Sequence, residues 1–172
     1  MCLFMSRDAV VALAVAGLMT LLPRPAPAQS PVDRGKYLVT LAACSDCHTR
    51  GTFFGKPDMA YYLAGWDVGF FVPNLGTFIG SNLTPDKETG LGKWTDEQIL
   101  TALQKGVTPD GRELSPNMPW RAYANLTRDD ALAIVAFLRG LPPVKNKILP
   151  PFGPDQKPTV PVMKVVPPEP GK

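Results

Sequence analysis

Cys44-Ser45-Asp46-Cys47-His48 constrains this 172-residue chain more than any other stretch, because it holds the single histidine and two of the three cysteines. The two thiols are three positions apart and the imidazole follows the second directly. At the end of a helix that spacing brings both sulfurs and the ring to one side. Two thiols and an imidazole so arranged suit a covalently attached haem. The thiols form thioethers with the porphyrin vinyl groups, and the imidazole ligates iron from one face.

Three other uses of a C-x-x-C pair are weaker. A redox disulfide needs the βαβ pattern of a thioredoxin-like domain, which is missing here. A zinc site needs two more ligands, and neither a second cysteine pair nor a second histidine exists. A structural disulfide in an exported protein is the remaining reading.

Export is expected from the N-terminus. Ala9 to Leu22 is an apolar run preceded by Arg7, short of the ~20 residues that a membrane span needs. Ala26-Pro27-Ala28 then offers the small-x-small pattern cut by signal peptidases. Residues 1–28 therefore read as a signal peptide, cleaved near Ala28, and the protein as periplasmic. Cleavage removes Cys2, leaving Cys44 and Cys47 as the cysteines of the mature chain. It also removes Arg7, Arg24 and Asp8, lowering the net charge of +3 by one. So small a charge gives no footprint for nucleic acid.

Three short helices are predicted. The first runs from about Asp33, a candidate N-cap, to the Cys44 region, with Tyr37/Leu41 and Leu38/Ala42 paired at i,i+4. The second opens at Thr95, where Thr95-Asp96-Glu97-Gln98 has the capping-box form, and stops at Gly106. The third opens at Thr127, carries Ala131, Ile134, Val135 and Leu138 on one face, and ends at Gly140 before Pro142-Pro143. Between His48 and Trp94 lies a long aromatic-rich stretch with no clean period, tolerable if a large apolar group sits where those rings can cover it. From Pro142 onward come half of the chain's 20 prolines. That tail is expected to be extended and free of helix. With the haem domain at 29–144 and the tail at 145–172, removing residues beyond about Asn146 should leave the fold intact. The competing expectation is that the tail wraps the domain and covers a haem edge.

With one histidine, the second axial position of the iron falls to Met, Lys, water or nothing. Met59 is close behind His48 in sequence, a short path to the opposite haem face, and Met163 lies in the tail. Met118 sits in Ser115-Pro116-Asn117-Met118-Pro119-Trp120, a proline-stiffened loop between the second and third helices, and is the candidate. A thioether is soft and neutral, so it favours Fe(II).

From about Asp33 to Val144 the chain resembles class I cytochromes c, and most of all the haem domains in cytochrome subunits of bacterial membrane-bound alcohol and sugar-acid dehydrogenases. The stretches that carry the resemblance are Arg34-Gly35-Lys36-Tyr37-Leu38, Cys44 to His48, Asn82-Leu83-Thr84-Pro85-Asp86, Thr89-Gly90-Leu91-Gly92-Lys93-Trp94-Thr95, Asp110-Gly111-Arg112, Met118-Pro119-Trp120, and Leu126-Thr127 through Leu141-Pro142-Pro143-Val144. The resemblance implies an all-α class I cytochrome c fold of three to four short helices around one haem, with long loops. It implies His48/Met118 ligation, and crossing of the first and last helices with Gly35 against Ala136 or Phe137. It also implies an indole N–H from Trp94 to a haem propionate, although plain core packing accounts for a tryptophan there equally well. Many relatives place Pro before Asn-Leu where a backbone carbonyl holds the axial histidine. Here Ser81 precedes Asn82-Leu83, while Pro73-Asn74-Leu75 supplies that tripeptide earlier, and the sequence leaves both segments open.

The expectation is an electron carrier, not an enzyme: one covalent haem c with its iron, and redox proteins as partners, namely a dehydrogenase, an oxidase or another cytochrome. Membrane association would come through a partner complex. The chain is then a stand-alone carrier or a small subunit. The alternative is a haem enzyme or gas-binding module whose distal ligand is displaceable. N-terminal sequencing of native protein should give a start at or near Gln29; a start at Met1 would mean an uncleaved anchor.

Overall fold

The computed structural model describes residues 29–166, so the signal-peptide reading of residues 1–28 and Cys2 lies outside the described residues. The fold is mostly helical, with several short helices and a few short strands. Helix α1 spans Pro31–Leu41, α2 Cys44–His48, α3 Asp96–Lys105, α4 Trp120–Tyr123 and α5 Arg128–Arg139.

Local chemistry sets the helix boundaries. Helix α1 is capped by Ser30, not by Asp33: the Ser30 hydroxyl accepts from the Asp33 backbone N–H, and Pro31 takes the first helical position, where no N–H is needed. The capping box on α3 is present in both directions between Thr95 and Gln98, and Gly106 closes that helix in the left-handed region at φ 70°. Thr127 caps α5 by accepting from the Asp130 N–H.

Helices α1 and α5 pack at very close range. A Cβ built on Gly35 would lie 1.9 Å from the Ala133 carbonyl oxygen and 2.8 Å from Phe137 Cβ, so only glycine permits the approach. Of the two expected partners Phe137 is correct, while Ala133 takes the place given to Ala136. Leu38, Val39, Ile134, Val135 and Leu138 fill the contact, and Leu91, Ile99 and Leu100 extend it under α3. At the rim, Arg34 donates to Asp130 at 2.7 and 3.2 Å, which holds that carboxyl below the usual carboxylate range.

The aromatic-rich stretch contains a hairpin that the sequence reading did not anticipate. Strand β1, Gly69–Val72, runs antiparallel to β2, Gly76–Ile79, with Phe70 opposite Phe78. The turn uses Pro73 followed by Asn74 at φ 63°, a pairing favoured by turns that need a positive φ at the second central residue.

The C-terminal segment is extended and without helix, as expected, yet it is not a free appendage. Phe152 exchanges two 2.9 Å backbone hydrogen bonds with Thr77, and the Gly69 N–H donates to Pro161 at 2.9 Å. Strand β3, Val162–Met163, then adds to β1 in parallel, giving a sheet ordered β2-β1-β3. Ile148 lies on Gly65, where a Cβ would come within 2.3 Å of it. Prolines limit the segment to an edge strand, but they do not stop it from strapping the hairpin to the domain. Deleting residues 147–172 should therefore lower the melting temperature by about 10 °C, since several backbone bonds of ~1 kcal/mol each and the Ile148 packing are lost. A change of only a degree or two in a thermal scan would return the tail to its expected dispensable role.

Candidate functional site

Helix α1 ends at Leu41, and the motif does not continue it. Ala43 adopts a left-handed conformation at φ 52°, unusual for a residue with a Cβ, and the chain restarts as the single turn Cys44–His48. This break aims the turn independently of the helix that carries it. The turn closes through Asp46 N–H to Ala43 O at 3.0 Å and Thr49 N–H to Ser45 O at 2.9 Å.

The loop behind the motif is fixed by buried threonine. The Thr49 hydroxyl, fully enclosed, accepts from the Leu63 N–H at 3.0 Å, and Gly65 N–H donates to the His48 carbonyl at 2.8 Å. Thr52 bonds the carbonyls of Asp46 and Thr49 and accepts the Trp66 indole N–H at 2.9 Å. Neither threonine stood out in the sequence, because a hydroxyl that bonds backbone leaves no motif.

His48 is buried, and its Nδ1 stands 2.7 Å from the Ser81 carbonyl oxygen. A carbonyl only accepts, so Nδ1 carries the proton and Nε2 keeps its lone pair for a metal. Burial holds the imidazole below its ordinary range, which favours the neutral ligand form. The question left open between two Asn-Leu segments is answered: Ser81 takes the role, and Pro73-Asn74-Leu75 makes the β1–β2 turn instead.

Cys44 and Cys47 are free thiols, both half-buried. Burial pushes the Cys44 thiol up to about 11 and raises Cys47 as well. Thiol–disulfide exchange favours a lowered thiol pKa, the opposite direction from both of these thiols. Among the described residues no group of three or more His, Cys, Asp or Glu could hold a metal ion, which also leaves a zinc reading without its further ligands.

Met118 lies on the α3–α4 loop, half-buried, in a turn bounded by Met118 N–H to Ser115 O at 3.0 Å and Trp120 N–H to Met118 O at 2.7 Å. Tyr123, in the helix that follows directly, donates its hydroxyl to the Ala42 carbonyl at 3.3 Å, next to the motif. Burial and the nearby Cys44 and Cys47 sulfurs push that phenol up to about 12. Helix α4 is thus tied to Ala42, two residues before Cys44, and Met118 stands two residues before that helix. Tyr123 and Tyr62, whose phenol is raised first by burial and then by the nearby Cys44, are residues beside the motif that the sequence did not single out.

Trp94 is half-buried against the core, and its indole N–H donates to no protein group among the described residues. Its backbone is anchored instead: the Arg139 guanidinium on α5 bonds the carbonyls of Leu91 and Trp94.

Residues 32–142 match the protein family described as Cytochrome c. Among curated proteins the chain is 37% identical over 118 residues to the fructose dehydrogenase cytochrome subunit of Gluconobacter japonicus, covering 67% of this chain and 22% of that protein. It is 37% identical over 114 residues to the cytochrome c subunit of a quinone alcohol dehydrogenase from Gluconobacter oxydans, covering 66% and 22%. A gluconate 2-dehydrogenase cytochrome c subunit from Pantoea cypripedii is 34% identical over 115 residues, covering 66% and 24%. The chain therefore spans less than a quarter of the length of these relatives.

Gly80 is the tightest point of the site. A Cβ there would fall 1.7 Å from the Cys47 carbonyl oxygen. Gly80→Ala should push the Ser81 carbonyl off His48 or displace the cysteine turn. If the turn holds haem as the cytochrome c family implies, variant chain should then accumulate with less than about a tenth of the wild type's covalent haem, read by mass spectrometry, since even ~1.4 kcal/mol is a tenfold change in an equilibrium. Wild-type loading would show that the segment can move without cost.

Proposed function

The chain belongs to the cytochrome c family, and from that premise we propose that it is a periplasmic single-haem electron carrier with His/Met-ligated iron. One observation carries the reading. His48 is held through Nδ1 with Nε2 free, on the same turn as two unpaired thiols. That donor set fits one covalently bound haem and fits neither a dithiol redox centre nor zinc.

In this reading Cys44 and Cys47 would hold the porphyrin through thioethers, and His48 Nε2 would ligate the iron. Met118 would supply the second ligand, from the loop before the helix that Tyr123 ties to Ala42. The Trp94 indole N–H is free to donate to a propionate. Leu63, fully buried, backs the motif through its N–H bond to Thr49. When bound, the haem supplies a one-electron ferric/ferrous couple. With His48 and Met118 both ligating, the iron would offer no place for a substrate, so the proposed role is transfer between proteins rather than catalysis.

The relatives are cytochrome subunits of dehydrogenases, which supports a dehydrogenase among the redox partners we propose, alongside an oxidase or another cytochrome. Among the described residues no helix is long and apolar enough to cross a membrane, so we assign any membrane association to a partner complex.

Met118→Ala tests the assignment. The covalent haem should remain, because attachment uses Cys44, Cys47 and His48. The reduction potential should fall, because a ligand that favours Fe(II) is lost. The ferric charge-transfer band of thioether-ligated haem should vanish, and the iron should bind carbon monoxide. A wild type that already lacks that band, or a variant that keeps it, identifies a different ligand. Carbon monoxide binding by the wild type would favour a gas-binding or enzymatic haem instead.

A further inference from the structure

Ser81 has no pyrrolidine ring to fix its φ and is itself exposed. Its carbonyl must nevertheless keep one direction for the 2.7 Å contact with His48 to persist. The next residue explains how. Asn82 is 2% exposed, and every hydrogen-bonding group on its side chain is engaged. Its Oδ1 accepts from the Thr84 N–H at 2.9 Å and the Thr84 hydroxyl at 2.7 Å. Its Nδ2 donates to the Val144 carbonyl at 2.8 Å and the Thr89 hydroxyl at 3.1 Å. Thr89 in turn donates to Asp86 and accepts the Asn146 N–H at 2.9 Å. Asn146 closes the circuit by donating its side-chain amide to the Ala64 carbonyl at 2.9 Å. The donors of Asn82 thus end on one short region: on the Val144 carbonyl, on the Asn146 carbonyl at 3.4 Å, and on Asn146 again through Thr89. Those two residues stand where the Pro-rich strap leaves the domain.

We infer that Asn82 is a positioning residue for the axial ligand: clamped by Val144 and Thr89, it aims the Ser81 carbonyl at His48 Nδ1, so the root of the C-terminal strap sets the electron affinity of the iron. The inference rests on the haem reading above. A carbonyl aimed at Nδ1–H makes the imidazole a stronger donor to iron and favours the ferric state. Loosening the clamp weakens that donor and raises the reduction potential. Asn82 is required as such: aspartate has no donor for Val144, and a longer amide does not fit a side chain with four fixed partners.

The test compares four holoproteins: wild type, Asn82→Ala, Thr89→Val and Ile148→Ala. Thr89→Val removes the hydroxyl shared by Asn82 and Asn146 at nearly constant volume, and it serves if Asn82→Ala does not accumulate. Ile148→Ala loosens the strap beyond the clamp while leaving Asn82, Thr89 and Val144 in place. Potentials are read by redox titration, and exchange of the His48 Nδ1 proton by NMR. Both clamp variants should show a raised potential and Nδ1–H exchange faster by about five- to tenfold, the loss expected for one hydrogen bond. Ile148→Ala should lower the melting temperature with neither of those changes. Clamp variants that lose stability but keep the wild-type potential and exchange rate overturn the inference, as does an equal shift in Ile148→Ala. A wild type without covalent haem overturns the haem reading itself, and so is separable from failure of the clamp alone.

Discussion

The hydrogen bond from His48 Nδ1 to the Ser81 carbonyl organises the irregular half of the molecule. It joins residues 33 positions apart and selects the tautomer that leaves Nε2 available. Each neighbouring feature limits how far the two ends can drift. Gly80 lies against the Cys47 carbonyl, Trp66 N–H holds the Gly80 carbonyl at 3.0 Å, and Leu83 N–H holds the Leu63 carbonyl at 2.8 Å. The helices supply a rigid frame, and this bond fixes where the frame meets the loops.

Sequence was a good guide wherever structure follows from neighbours in the chain. The caps of α3 and α5, the stop at Gly106 and the C-x-x-C-H turn are local chemistry, and they stand where the spacing puts them. Asp33 misled because two adjacent residues offered cap oxygens, and Ser30 with Pro31 behind it is the better start. The hairpin at Gly69–Ile79 left a trace in Pro73-Asn74 between two apolar runs, yet one face of that pattern is half-buried and gave no alternation to read.

Long-range pairing was the illegible part. Two Asn-Leu tripeptides competed for His48, and nothing local separates them. The decision rests on contacts of Gly80, Asn82 and Leu83 with segments far off in sequence. The strap's pairing was illegible for a related reason: proline content forbids helix and central strand, but it is silent on whether an extended segment finds an unpaired edge. β1 offers one at Gly69 and Phe70, and Thr77 offers another. Met118 and Trp94 rest on elimination and resemblance: the structure ties helix α4 to Ala42 through Tyr123 and the Trp94 backbone to α5 through Arg139, contacts that no local motif announces.

The glycine-mediated crossing of α1 and α5 has a kinetic side. Arg34 and Asp130, at its rim, are 96 residues apart, so the principal core contact closes nearly the whole domain into one loop. Loop-closure entropy makes such a contact slow to form, and its reward arrives only when the last helix is in place. A fragment ending before Arg128 lacks the surface onto which Leu38 and Val39 pack, and has little reason to collapse into anything native-like. Folding of this domain is therefore all-or-none by topology: the two ends of the chain must find each other before any middle part is stable alone.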